Sequence, residues 1–105
     1  MTRTVAFHAD AEKDLAELID WIAERASVAT ARRYADRIRR YCDRFDLFPE
    51  RGTKRDDLFP QGLRTVGFER RVTIVFTVTD EQVVILRLLY GGRNVEAMFS
   101  DDDRP

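Results

Sequence analysis

The stretch from Arg70 to Arg93, RRVTIVFTVTDEQVVILRLLYGGR, leaves this chain few folds to choose from. Val72, Ile74, Phe76 and Val78 alternate with Thr73, Thr77 and Thr79, the period-two pattern of a strand with one buried face. A polar turn at Asp80 and Glu81 follows. Residues 83–90 are then apolar at every position except Arg87, so a strand here carries hydrophobic side chains on both faces. A charge is seldom buried without a partner. This predicts that Val83, Ile85, Arg87 and Leu89 form the face turned away from the main core, with Leu86 on the core side. Because neighbouring strand hydrophobes are rarely left in water, that outer face requires a cover. Either a helix or tail of the same chain or a partner protein supplies it.

At 105 residues the chain accommodates a single core. The reading is one domain over residues 1–99 and an acidic, solvated tail over residues 100–105, where Asp101, Asp102 and Asp103 stand together. With 18 basic and 19 acidic residues the formal net charge is -1, so the whole molecule lacks a polyanion-binding signature and no direct sequence-specific nucleic-acid binding is expected. One cysteine, Cys42, and one histidine, His8, exclude an intramolecular disulfide and a Cys/His metal cluster. No cofactor is expected. The N-terminus lacks the apolar core of a signal peptide, and no run approaches the roughly 18 apolar residues of a membrane span. A cytoplasmic location without membrane contact follows as the expectation.

Thr4 to Phe7 predicts a short strand ending at His8. Asp10 reads as the N-cap of a first helix over about residues 11–26, with the apolar stripe Ala11, Leu15, Leu18, Ile19, Ile22 and Ala26 on one arc. Trp21 lies off the edge of that arc, where it either packs under the neighbouring helix or anchors a partner. Ser27 and Thr30 offer caps for a second helix over about residues 29–45, whose stripe is Ala31, Tyr34, Ala35, Ile38, Tyr41, Cys42 and Phe45. The short connection implies an antiparallel hairpin. Cys42 reads as a small buried apolar residue. On the opposite side Arg33, Arg37, Arg40 and Arg44 form a basic ridge, either a solvated face or a surface for an acidic partner. Pro49, Gly52, Pro60 and Gly62 punctuate a surface loop. Leu63 to Phe68 predicts a third strand with Arg64, Val66 and Phe68 on one face and with Gly67 permitting a close approach. Only Glu69 and Arg70 separate it from the central pair, so the three strands form an antiparallel meander.

The order of these pieces resembles a known family. The strand and helical hairpin, Pro49-Glu50-Arg51-Gly52, Gly62-Leu63-Arg64, and Ile85-Leu86-Arg87 leading to Gly92-Arg93-Asn94 together resemble the ParE branch of the RelE/ParE toxin superfamily over residues 3–99. The resemblance implies an α+β fold, with an N-terminal strand and a helical hairpin packed on a small, twisted, mostly antiparallel sheet. It also implies a toxin of a type II toxin-antitoxin system, held in a hetero-oligomer by a cognate ParD-like antitoxin and directed at DNA gyrase. The alternative within the superfamily is a ribosome-dependent messenger-RNA endonuclease of the RelE type. Such cleavage needs an acid, a base and cations around the phosphate. This sequence supplies them poorly: Thr73 stands where RelE-like nucleases commonly carry an arginine, Phe99 stands near the place of their C-terminal tyrosine, and His8 comes too early. Arg64, Arg87 and Arg93 remain as anion-binding candidates for toxicity, without catalytic residues, since arginine keeps its proton. The antitoxin-binding candidates are Trp21, Arg33, Arg37, Arg40, Arg44, Val83, Ile85 and Leu89.

Overall fold

The computed structural model describes residues 3–55 and 62–90. In chain order the elements are β1 (Thr4–Phe7), α1 (Ala9–Arg25), α2 (Val28–Asp43), a 3-10 turn (Arg44–Asp46), β2 (Thr53–Lys54), β3 (Leu63–Phe68), β4 (Val72–Val78) and β5 (Gln82–Tyr90). The strands lie side by side as β1-β5-β4-β3-β2. β3, β4 and β5 form the antiparallel meander read from the sequence, and β1 joins the far side of β5 in parallel.

β1 runs directly into α1. The His8 N–H donates to the Ile85 carbonyl at 2.8 Å, extending the ladder, while His8 Nδ1 accepts from the Asp10 N–H at 3.0 Å. His8 is therefore the N-cap in place of Asp10, which sits inside the first turn where the helix dipole favours a carboxylate. Ser27 caps α2 as expected, its Oγ accepting from the Thr30 N–H at 3.0 Å. Along α2 the stripe Ala31, Tyr34, Ala35, Ile38, Cys42 and Phe45 is buried, and Tyr41 is partly so. All of these except Ala31 share one cluster with Leu15 and Leu18 of α1 and with Phe68, Val72, Ile74 and Phe76 of the sheet. Ala26, the last residue of the stripe expected on α1, is the exposed C-cap.

β5 departs from strict alternation. Its pairing with β4 slips between Val75 and Phe76, so that Phe76 opposes Ile85 and Val75 opposes Arg87, leaving Leu86 as an extra residue in a bulge. The bulge reverses the strand's phase. Before it, Val83 and Ile85 are fully buried in the main core, contrary to the outward face that Arg87 suggested. After it, Leu88 enters the main core, whereas Leu89 joins Leu63 and Val75 in a second buried cluster with Leu86 only partly buried beside it. One misplaced residue moves every later side chain to the other face. The strand is therefore apolar throughout because its two halves bury opposite registers.

Two loop features were not foreseen. β2 pairs with β3 inside the segment that Pro49 and Gly52 mark as a loop. Gly52 has φ +75°, and a Cβ there would lie 2.1 Å from the Thr65 carbonyl oxygen, so the crossing requires glycine. Gly67 makes no such approach, as nothing lies within 4 Å of where its Cβ would be. The tight turn between β3 and β4 places Glu69 at φ +51° and Arg70 at +62°, left-handed conformations that ordinarily call for Asn or Gly.

Candidate functional site

Two surface regions carry concentrated charge. The first surrounds Arg87. β1 covers β5 only as far as the Phe7 to Ile85 pair, so among the described residues the outer edge of β5 beyond Ile85 has no neighbouring strand. α1 passes over it, and Asp14, on the buried arc with Ala11, Leu15 and Leu18, completes the edge with its side chain. Its Oδ2 accepts the Leu88 N–H at 2.9 Å and Arg87 Nε at 2.6 Å, and its Oδ1 accepts Arg87 Nη2 at 3.0 Å. Asp14 is 3 % exposed, the one charged residue in the interior among those described. Asp10 and Glu17 stand nearby, and these carboxylates, Asp14 foremost through its hydrogen bonds, push the Arg87 pKa up. A fork occupied by a buried carboxylate, with two more acids around it, is a poor receptor for an external anion.

Arg64 is also engaged. It is half-buried on β3, and its Nε donates to the Arg51 carbonyl at 3.0 Å. Arg64 and Arg87 lie on strands separated by β4, and the structure does not bring them into one site. Arg93 lies outside the described residues, as do Phe99 and the acidic tail.

The second region is an open groove of about 800 Å³ between the end of α1, the start of α2 and the β3–β4 turn. Its apolar part is Trp21, which is 40 % exposed and meets Tyr90 at the end of β5 with ring centroids 6.2 Å apart. Trp21 thus packs on the sheet's terminus and not under α2. The guanidinium of Arg25 stacks 4.2 Å from the Trp21 ring. Arg33 and Arg37 enter from α2, and Arg70 and Arg71 from the turn. Arg37 is held by Glu69 through two parallel bonds of 2.9 Å, Nε to Oε2 and Nη2 to Oε1. That contact depresses the Glu69 pKa and raises that of Arg37. Tyr34 forms part of the wall. Its ring lies 5.0 Å from the Arg37 guanidinium, and its hydroxyl is buried without a hydrogen-bond partner among the described residues. Burial is the main reason its pKa rises.

Arg33 and Arg37 of the basic ridge therefore face a built groove, whereas Arg40, further along α2, and Arg44, at the start of the 3-10 turn, are exposed. Val83 and Ile85 offer no surface and Leu89 is buried, so none of the three can form a docking face. Arg25, Arg70, Arg71 and Tyr90 escaped the sequence reading because only the fold brings the turn and the end of β5 beside the hairpin. The groups able to move a proton in these regions are chiefly carboxylates, Asp10, Asp14 and Glu17 around Arg87 and Glu69 in the groove. His8 is engaged as a helix cap, and burial pushes the Cys42 thiol up to about 12. Among the described residues no group of His, Cys, Asp and Glu is arranged to hold a metal ion.

Residues 5–95 match the family described as ParE toxin of type II toxin-antitoxin system, parDE. The chain is 34% identical over 84 residues to Toxin ParE3 of Caulobacter vibrioides, which covers 80% of this chain and 82% of that protein. Among solved structures, a chain of the chromosomal ParDE TA system from P. aeruginosa superposes with a TM-score of 0.73 at 20% identity, covering 85% of this chain and 96% of that one. That likeness establishes the α+β arrangement of two helices on a five-stranded mixed sheet.

Proposed function

This chain belongs to the ParE toxin family of type II toxin-antitoxin systems, and from that premise we propose that it inhibits DNA gyrase by binding, without breaking a bond itself. A ParD-like antitoxin neutralises it, and both act in the bacterial cytoplasm. The observation that carries the non-catalytic reading is the state of the groups a nuclease would need. Arg87 is bound by Asp14, Arg64 donates to a main-chain carbonyl, His8 caps α1 and the Cys42 thiol is buried. Glu69, the one carboxylate lining the arginine groove, is itself held on the Arg37 fork. Inhibition through binding needs only a complementary surface.

Purified protein added to gyrase and supercoiled plasmid is expected to accumulate double-strand breaks that appear on denaturing the enzyme. Messages bound to ribosomes remain intact under the same dose. Cleavage of ribosome-bound messages with unchanged plasmid topology overturns the proposal in favour of a RelE-type nuclease.

A further inference from the structure

We propose that the groove between Trp21, Tyr90 and the arginines of α2 and the β3–β4 turn receives an acidic peptide segment carrying a large apolar side chain, with Glu69 as its built-in competitor. The proposal deepens the antitoxin part of the reading above, because it specifies the chemistry of the segment and the residues that admit it.

Two features define the occupant. The groove collects Arg25, Arg33, Arg37, Arg70 and Arg71 against the single carboxylate of Glu69, on a chain whose overall charge is slightly negative. Among the described residues, Arg33, Arg70 and Arg71 make no ion pair, and the one ion pair of Arg25 is with the exposed Glu24 at 3.9 Å, while its Nη1 donates to the Trp21 carbonyl at 3.2 Å. Planar guanidinium forks are suited to carboxylates in bidentate geometry. The second feature is apolar. Trp21, 40 % exposed, meets Tyr90 at a tilt of 57° under the Arg25 guanidinium, so the groove offers exposed aromatic edge to an aliphatic or aromatic side chain and no parallel slot for successive bases. Tyr34, 7 % exposed, contributes ring surface to the groove wall, and its hydroxyl is buried with no hydrogen-bond partner among the described residues.

Glu69 already makes the contact that an incoming carboxylate would make. It sits on the Arg37 fork with both oxygens, and it does so from a left-handed backbone conformation unfavourable to glutamate. A peptide carboxylate must displace it or accept a less favourable position beside it. Removing the Glu69 charge should therefore strengthen binding, whereas an acid in a merely supportive role would weaken it when lost.

Trp21 is the only tryptophan in the chain and lies in the groove, so its emission reports occupancy directly. The probes are short synthetic peptides with Leu or Phe between pairs of glutamates, the same peptides with glutamine in place of glutamate, and oligothymidylate. The acidic peptides are expected to shift Trp21 emission saturably, and the glutamine versions are not. Exposed ion pairs of this kind set the scale, so Glu69→Gln should tighten binding by up to about fivefold. Arg33→Ala and Arg70→Ala, both at exposed positions, should weaken it by a similar factor, with far-UV spectra and melting curves verifying the fold. Absence of saturable binding, an affinity lowered or unchanged by Glu69→Gln, or tighter binding of oligothymidylate each overturns the proposal. Failure of the gyrase assay with these peptide results intact would instead reject the target and leave the groove standing.

Discussion

At the residue scale the decisive pair is Asp14 and Arg87, separated by 73 positions in sequence. Half of it was legible. A lone arginine in an apolar strand needs a partner, and Asp14 is the acidic residue that falls on the buried arc of α1, but joining the two requires knowing that β1 stops short of Leu88. Alternation instead turns Arg87 outward, and only the family resemblance makes it an anion-binding candidate. Removing one member of a buried ion pair leaves the other charge uncompensated and costs roughly 3 to 5 kcal/mol. Asp14→Ala would additionally orphan the Leu88 N–H. The expected loss is a large share of the roughly 5 to 15 kcal/mol typical of such domains. Asp14→Asn keeps an acceptor for that N–H and should lose less. Urea unfolding of the three proteins measures the order; equal stabilities for Asp14→Ala and the parent would show that Asp14 does not hold this edge.

At the scale of the element, the helices were readable nearly residue by residue, because their stripes recur over four turns and a single misfit hardly alters the pattern. β5 was readable as a strand and misread as a surface. Alternation assigns faces only while the register is regular, and nothing in VVILRLLY marks which residue is extra. The turn at Glu69 and Arg70 was legible in its place but not in its left-handed conformation, since it lacks the Asn-Gly signal its geometry calls for. The bulge makes a direct prediction. Leu86, the core position under uninterrupted alternation, is only partly buried, whereas Leu88 is 0 % exposed in the main cluster. Leu88→Ala should cost about 2 to 5 kcal/mol and Leu86→Ala less than the lower end of that range. Chemical denaturation settles the ranking, and the reverse order would mean that β5 pairs with β4 without the slip.

At the scale of the whole molecule, one cluster is built from both helices and from β3, β4 and β5, so the hairpin has no separate core on which to persist once it leaves the sheet. Unfolding should then be a single event, and Cys42 provides the means to observe it. Its thiol is 0 % exposed within that cluster, and burial, the largest cause, raises its pKa to about 12. The thiolate is the reactive form. At mildly alkaline pH a disulfide reagent therefore meets almost no reactive sulfur in the folded chain and labels it only through opening. The sign of the pH effect follows from the same shift. A thiol whose folded pKa exceeds its ordinary value of 9.0 contributes its full stability below that value, and the contribution declines as pH rises toward about 12 while the unfolded chain alone ionises. At fixed pH, labelling in the limit of fast reclosing should yield the same opening free energy as urea unfolding. Each roughly 1.4 kcal/mol lost to Leu88→Ala or Asp14→Ala should accelerate labelling about tenfold. If the hairpin instead lifts off as a unit, Cys42 would react faster than global stability allows and would respond weakly to Leu88→Ala. That outcome would replace one cooperative domain with a hinged one.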